Sequence, residues 1–282
     1  MRKKLLPGLI HRLPQNALSR TMGKITASRF SRLAIQSYIR HYKIDASIVE
    51  KPVHEYRTLK EFFTRRLKPG ARPIAPGEEV IVSPVDGTVS QLGDIREGTL
   101  IQAKGKGFSV AELLGGSEEK AKRYYGGKFI TIYLSPRDYH RIHMPVTGRL
   151  QRFSYLPGRL YPVNQLGVEY VDRLFARNER IVTYIETEDK GELALVKVGA
   201  LFVGSVKVCY NAATTNVKRG RYTEGEISGF PVCEKGEELG WFEFGSTVIL
   251  LFESGEIEWE PGVGCGSSLL MGQKLAQLKA SE

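Results

Sequence analysis

Apolar positions recur with two different periods along this chain, and the change of period divides it. Between residues 16 and 43 the spacing is helical, with Ile35 and Ile39 one turn apart. The next segment, TLKEFFTRRL, predicts a second helix, in which Thr58 and Glu61 form a capping box. Its apolar residues share one face, namely Leu59, Phe62, Phe63 and Leu67. The Pro- and Gly-rich stretch KPGARPIAPGEE then ends the helical pattern.

From Val80 onward, short runs rich in β-branched residues predict strands. The runs are VIVSPVDGTVSQL, FITIYL, RIVTYIET, ELALVKVGALFVGSVKV and STVILLF. Residues 109–124 and 170–176 are the helical insertions expected among them. The pattern therefore predicts an α+β protein, with an N-terminal helical region over residues 1–70 and a β-rich domain over residues 71–282.

A glycine interrupts one of the most apolar of these runs, WFEFGSTVILLF. Glycine inside a strand costs stability because it adds backbone entropy and packs no side chain. We therefore expect that something other than strand stability requires Gly245, next to Ser246.

Charge is concentrated at the start of the chain, whose formal net charge is +10. Ten basic residues precede Asp45, the first acidic residue, and alternate with apolar residues. This pattern predicts basic amphipathic helices that bind an anionic membrane surface. A mitochondrial transit peptide and an ordinary solvated helix face are the alternatives. Nucleic-acid binding is disfavoured because the basic residues do not spread over a groove or sheet face among exposed aromatics, and no run reaches the roughly 20 apolar residues of a membrane span.

Composition adds little chemistry. The chain has 282 residues, 41% of them hydrophobic, which is enough for a sizeable core. Cys209, Cys233 and Cys265 are too few and too scattered for a disulfide framework or a thiolate metal site. We expect all three to pack as small apolar side chains.

Three polar stretches adjoin the apolar runs and carry the candidate chemistry. They are SPVDGTV with Asp86, SPRDYHRIHMP with His140 and His143, and FGSTV with Ser246. An imidazole oriented by a carboxylate can take the proton of a serine and make it a nucleophile. Each stretch has a simpler interpretation, because VDG is typical of a hairpin turn, two histidines without a third ligand rarely hold a metal, and Ser246 lacks the G-x-S-x-G elbow.

Two kinds of serine chemistry fit these residues. A Ser-His-Asp hydrolase would leave the chain intact. Alternatively, Ser246 attacks the carbonyl of Gly245, which converts the peptide to an ester, and elimination followed by hydrolysis leaves a pyruvoyl group at residue 246. In the second case the chain makes its own cofactor, whereas a membrane-binding module without enzymatic activity would need neither serine nor histidine.

The blocks FGST, SPVDGTVSQLG, YLSPRDYHRIHMP, LFARNER and VGALFVGSV resemble those of the phosphatidylserine decarboxylases, and the resemblance covers nearly the whole chain. These are pyruvoyl enzymes that mature by self-cleavage within an LGST motif. The resemblance implies a processing triad of Asp86, His143 and Ser246, with cleavage between Gly245 and Ser246. It also implies a β chain of residues 1–245 and an α chain of residues 246–282. Phe244 stands where the family has leucine, and we expect slower or altered processing at most.

The resemblance further implies the reaction and its setting. Phosphatidylserine would lose CO2 to give phosphatidylethanolamine in phospholipid biosynthesis, on a pyruvoyl group derived from Ser246 and with no metal. His140 matches the family histidine of the substrate step, and we expect it to protonate the substrate Cα. We expect a peripheral protein on the cytoplasmic face of a bacterial inner membrane. The sequence leaves the oligomeric state open, and a homodimer is compatible with it.

Overall fold

The computed structural model describes residues 14–103, 106–188, 191–201, 205–217, 220–243, 245–253 and 257–278. Seven α-helices lie in these ranges: α1 Gln15–Ala27, α2 Ile35–Tyr42, α3 Leu59–Phe63, α4 Val110–Leu114, α5 Glu118–Lys122, α6 Gln165–Tyr170 and α7 Leu174–Arg177. Two 3-10 helices cover Arg29–Ala34 and Val53–Glu55. The longer helices belong to the N-terminal region, as the pattern predicts.

Short strands make up most of the remaining regular structure. They are β1 Val80–Val82, β2 Gly87–Asp94, β3 Thr99–Ala103, β4 Lys106–Ser109, β5 Lys128–Leu134, β6 Arg141–His143, β7 Gly148–Leu156, β8 Arg180–Thr187, β9 Gly191–Val198, β10 Val206–Val208, β11 Thr223–Glu226, β12 Val232–Cys233, β13 Glu238–Phe242, β14 Ser246–Phe252, β15 Ile257–Trp259, β16 Ser268–Leu269 and β17 Lys274–Leu278. The expected α+β, β-rich class is confirmed.

The main sheet is antiparallel and has nine strands in the described ranges. Its order is β11-β7-β8-β9-β14-β5-β2-β16, and β12 pairs with β7 beside this path. Strand β14 lies between β9 and β5, and every residue of it is buried. Val248 and Leu250 face one hydrophobic cluster, whereas Ile249 and Leu251 face a second cluster that includes residues of α4 to α7. Burial on both faces explains why this strand is apolar throughout instead of alternating.

The N-terminal helices differ in detail from the expectation. The helical pattern of residues 16–43 is divided, because α1 ends at Ala27 and Ser28 caps a 3-10 turn through a bond from the Phe30 N–H. At α3 the Thr58 hydroxyl accepts the Glu61 N–H at 3.0 Å. The Glu61 carboxylate accepts the Arg57 N–H at 2.8 Å instead of that of Thr58, so only half of the predicted capping box forms.

The two helical insertions are also more broken than predicted. Residues 109–124 contain α4 and α5, separated at Gly115 and Gly116, whose φ angles are 107° and 92°. The expected helix at 170–176 falls across the end of α6 and the start of α7. The cysteine expectation is wrong for two of three residues, because Cys209 and Cys265 are exposed and only Cys233 is buried.

Candidate active site

Ser246 is the first residue of β14 and pairs with Leu134, the last residue of β5. Its side chain is fully buried, and its hydroxyl has no hydrogen-bond partner among the residues that the structure describes. The same holds for the hydroxyl of the neighbouring Thr247. Buried hydroxyls are ordinarily hydrogen-bonded, so two adjacent ones without a described partner depart from the usual arrangement.

Gly245 does not have to be glycine for packing reasons. A Cβ placed on it would lie 3.4 Å from the Leu134 carbonyl oxygen, an ordinary contact distance, and would meet nothing closer. The glycine is therefore not explained by a close approach of the described backbone. Phe244, where the family has leucine, lies outside the described residues.

The loop after β5 places His140. The Asp138 carboxylate accepts both the N–H and the hydroxyl of Ser135 at 2.7 Å, which closes the loop. His140 Nδ1 lies 2.8 Å from the Asp138 carbonyl oxygen, and a carbonyl can only accept, so Nδ1 carries the proton. His140 Nε2 is then an unprotonated base. It is buried and has no partner among the described residues.

The surroundings keep this imidazole neutral. His140 is fully buried, and its ring lies 4.0 Å from the ring of Phe63 of α3, measured between centroids. Burial, with a smaller contribution from the positive charge of Arg65, lowers the pKa of His140 from 6.5 to about 3. At neutral pH the side chain is therefore a base and not an acid.

His143 lies in β6, and both of its ring nitrogens are hydrogen-bonded. Its Nδ1 donates to the Gly236 carbonyl oxygen at 2.8 Å, which fixes Nε2 as the acceptor. The Tyr139 hydroxyl donates to that Nε2 at 3.0 Å. Burial lowers the pKa of His143, so this ring is also neutral at pH 7.

Asp86 lies in a bend just before β2. The strands on either side of the bend do not pair with each other, because β1 pairs with β17 and β2 with β5 and β16, so a hairpin turn is excluded. The carboxylate is buried and accepts the Arg72 Nε at 2.8 Å, a second Arg72 N–H and the Met271 N–H at 2.8 Å. Its ion pair is with Arg72.

Backbone contacts place these segments side by side. The backbone N–H of His143 donates to the carbonyl oxygen of Pro84 at 2.9 Å, which sets the bend of Asp86 against β6. The Phe242 N–H donates to the backbone carbonyl oxygen of His140 at 2.9 Å, which sets His140 beside the strand that leads to Ser246. In the described part of the chain, however, no hydrogen bond joins Asp86 to His143 or His143 to Ser246. The segments that carry the four predicted residues are thus neighbours, but in the described structure these residues do not form a bonded triad.

Three further residues of this region escaped the sequence analysis. The Tyr139 hydroxyl is hydrogen-bonded to His143 Nε2, and the Arg72 guanidinium donates to the Asp86 carboxylate. Arg65 donates to the Asp138 carbonyl oxygen, in the loop of His140. For Arg65 a signal exists in FFTRRL, because it follows the buried Phe62 by one helical turn and so continues the apolar face. No comparable sequence signal shows that Tyr139 bonds to His143 or that Arg72 bonds to Asp86, because these pairings depend on the fold.

The described residues include neither a metal-binding cluster nor a membrane-spanning helix. No three His, Cys, Asp or Glu side chains in those ranges come together in a way that could hold a metal ion. No helix in those ranges is both long and apolar enough to cross a bilayer.

Comparison with known proteins gives a consistent result. A family model described as phosphatidylserine decarboxylase matches residues 59–277. The phosphatidylserine decarboxylase proenzyme of Brevibacillus brevis is 79% identical over 280 residues, covering 99% of this chain and all of the relative. The proenzymes of Idiomarina loihiensis and Azotobacter vinelandii are each 45% identical, over 96% and 95% of this chain and 96% of each relative. This chain therefore belongs to the phosphatidylserine decarboxylase family.

Proposed function

We propose that this chain is a proenzyme that cuts its own backbone between Gly245 and Ser246. The observation that carries the proposal is the Ser246 hydroxyl, which is buried and bonded to no described residue. A serine hydroxyl must be unoccupied and must lose its proton before it can attack a carbonyl. The products are a β chain of residues 1–245 and an α chain of residues 246–282.

The cleavage needs only water from outside. Ser246 Oγ attacks the Gly245 carbonyl carbon, the peptide C–N bond breaks, and an ester and a free amine form. Loss of the Cα proton of residue 246 then expels the Gly245 carboxylate, which keeps the former serine oxygen, and leaves dehydroalanine. Its imine tautomer adds water and releases ammonia, so that residue 246 becomes a pyruvoyl group.

The two chains are expected to stay together after the cut. The α chain begins with β14, which is paired with β5 from Ser246 to Phe252 and with β9 from Thr247 to Phe252. Both faces of β14 are packed in the core. Cleavage therefore frees the end of a strand without removing the contacts that hold it in the sheet.

We assign the deprotonation of Ser246 to His143. The bond from its Nδ1 to Gly236 leaves Nε2 as the basic nitrogen. Burial lowers the His143 pKa, and this effect is partly opposed by the bond to Gly236, by the charge of Glu238 and, least, by that of Asp86. A neutral imidazole is the form that can take a proton. For this step the Tyr139 hydroxyl has to leave Nε2 or pass the proton on, since it occupies that nitrogen.

The mature enzyme converts phosphatidylserine to phosphatidylethanolamine and CO2. A pyruvoyl group at residue 246 supplies the carbonyl that takes up the substrate amine and accepts the electrons released with CO2. The substrate ammonium must lose a proton, and we assign this proton to His140 Nε2, the unbonded ring nitrogen, whose protonated form the negative charges of the bound headgroup would favour. The resulting imidazolium later returns that proton to the substrate Cα, so the same nitrogen acts first as base and then as acid.

The N-terminal region gives the proposed contact with the membrane surface. Phe30 and Leu33 are 85% and 83% exposed, and Ile25 is 55% exposed, whereas α1 buries the polar Ser19 and Thr26. Lys24, Arg29 and Arg32 lie exposed among these apolar side chains. Exposed apolar side chains beside cations suit an anionic lipid surface. Residues 1–13, which carry part of the predicted basic segment, lie outside the described residues.

Intact mass under denaturing conditions tests the proposal. The parent protein should give two masses, with the smaller chain starting at residue 246, blocked to Edman degradation and carrying a ketone in place of an amine. Ser246→Ala should give one full-length mass. Ser154→Ala, which alters another buried serine in β7, is the matched control and should cleave like the parent.

A single full-length mass for the parent would overturn the proposal. A serine-directed phosphonate would then test the alternative of an intact Ser-His-Asp hydrolase, which would be labelled at Ser246. A cut at any other bond would likewise reject the assignment of Ser246.

A further inference from the structure

Arg65 is a buried cation without a counter-ion in the described structure. The residue is 4% exposed, and it forms no ion pair with any described carboxylate. Its Nη2 donates to the carbonyl oxygens of Arg137 and Asp138 at 2.9 and 3.1 Å. Its Nε and Nη1 are buried and have no partner among the described residues. A charge removed from water in this way is costly unless something else pairs with it.

Two partly buried arginines and the buried Arg180 do not share this condition. Arg72 pairs with Asp86, and Arg141 pairs with Glu238 at 2.6 Å. Arg180 forms no ion pair in the described ranges, but its guanidinium donates to several backbone carbonyl oxygens, those of Glu112, Leu113, Ala176 and Asn178. The unused donors of Arg65 therefore do not follow from burial alone.

The position of Arg65 ties it to the substrate step. Its Nη2 and His140 Nδ1 share the Asp138 carbonyl oxygen, so the guanidinium and the imidazole are neighbours. The Phe62 ring lies under the guanidinium, 5.2 Å from Cζ to the ring centroid. The unused N–H groups of Arg65 and the unbonded Nε2 of His140 thus belong to one buried polar cluster.

We propose that Arg65 binds the phosphodiester of the lipid headgroup, a proposal that rests on the function proposed above. The serine headgroup carries two anions, a carboxylate and a phosphate. An ion pair with the carboxylate would stabilise the ground state more than the transition state, because that charge moves away as CO2 leaves. The phosphate keeps its charge throughout the reaction, and three bonds separate its phosphorus from the reacting Cα. Guanidinium N–H groups suit phosphate oxygens.

The test compares substrates with and without phosphate. Arg65→Gln, Arg65→Lys and the control Arg66→Gln are assayed on glycerophosphoserine and on O-methylserine. Arg66 is the matched control because it is adjacent in sequence and 57% exposed at its side chain. Self-cleavage into two chains and decarboxylation by the parent are measured first, so that failure of the proposed function is seen separately.

We expect Arg65→Gln to cleave itself normally and to lose about 10- to 100-fold in kcat/KM on glycerophosphoserine, the effect of a lost charged hydrogen bond. The loss should appear in KM, change little on O-methylserine, and be partly restored in Arg65→Lys. An equal loss on both substrates, or none on either, would overturn the proposal.

A second measurement covers the case in which Arg65→Gln fails to fold. Glycerol phosphate should inhibit the parent competitively and Arg65→Lys more weakly, with Arg66→Gln unchanged. Equal inhibition of all three proteins would overturn the proposal as well.

Discussion

Arg65 and His140 donate to one and the same atom, the carbonyl oxygen of Asp138, at 3.1 and 2.8 Å. The shared carbonyl fixes the proton of His140 on Nδ1 and places a permanent positive charge beside the ring. The bond to the carbonyl leaves Nε2 as the basic nitrogen, while burial and, to a smaller extent, the charge of Arg65 disfavour the imidazolium form. The role proposed for His140 depends on this arrangement, since a histidine already protonated could not accept a proton from the substrate.

Replacing His140 separates the two activities. His140→Gln should cleave itself, because Ser246 and His143 are untouched, but its decarboxylation rate should fall about 10²- to 10⁴-fold, the usual contribution of a general acid–base group. Cleavage is followed by gel or mass, and CO2 release by radiometric assay. His54→Gln is the control, since His54 is exposed. Parent-like CO2 release by His140→Gln would remove His140 from the proton transfers.

His143 is expected to be needed for maturation. His143→Ala should accumulate as the uncleaved precursor, because no base then takes the proton of Ser246. The variant leaves a buried space the size of the ring, so added imidazole should restore part of the cleavage. Precursor that matures at the parent rate without imidazole would show that His143 is not the base.

Tyr139 gives a test of how the proton of Ser246 reaches His143. In Tyr139→Phe the hydroxyl that occupies His143 Nε2 is gone, while the ring remains to pack. We expect this variant to cleave at least as fast as the parent in a time course after rapid synthesis. Markedly slower cleavage would mean that the tyrosine carries the proton from serine to histidine.

The buried neutral histidine has a consequence for stability at acid pH. The pKa of His140 is about 3 in the folded protein and 6.5 in an exposed chain, mainly because of burial and also because of Arg65. Between these values only the unfolded chain takes the proton, so stability falls as pH drops from 6.5 towards 3, by about 1.4 kcal/mol per unit and per group. Above pH 6.5 the contribution is constant.

Urea unfolding of the uncleaved Ser246→Ala protein at several pH values measures this slope. The double variant with His140→Gln should lose stability less steeply below pH 6.5. His143, whose pKa burial also lowers, adds to the slope in both proteins, and Asp138, whose pKa burial raises, opposes it. Identical slopes for the two proteins would mean that His140 takes up its proton in the folded state.

The exposed apolar side chains of the N-terminal region predict lipid binding. Phe30→Ser with Leu33→Ser should weaken binding of the Ser246→Ala protein to anionic vesicles by at least about tenfold, because each large side chain contributes roughly 1.5–3 kcal/mol on full burial. Leu270→Ser is the matched control, since Leu270 is 48% exposed and lies far along the chain, after β16. Unchanged sedimentation with vesicles would place the membrane contact elsewhere.

Much of this architecture is encoded locally. Apolar period and β-branched content are properties of neighbouring residues, so the helical N-terminal region, the β-rich remainder and the buried strand after Gly245 could be predicted directly. The resemblance of the motifs to one family also led to Asp86, His140, His143 and Ser246. Local sequence rules did not predict the helix breaks at Ser28 and Gly115. They also predicted a complete capping box at Thr58, of which only one hydrogen bond forms.

Protonation states and side-chain partners required the tertiary structure. Asp86 binds Arg72, His143 binds Gly236 and Tyr139, and His140 lies under Phe63. The contacts of His143 with Gly236 and of His140 with Phe63 join segments far apart in the sequence, and the first of them accompanies the pairing of β6 with β13. Burial then sets the pKa of each histidine, and burial is a property of the whole packed core, which no stretch of neighbouring residues contains.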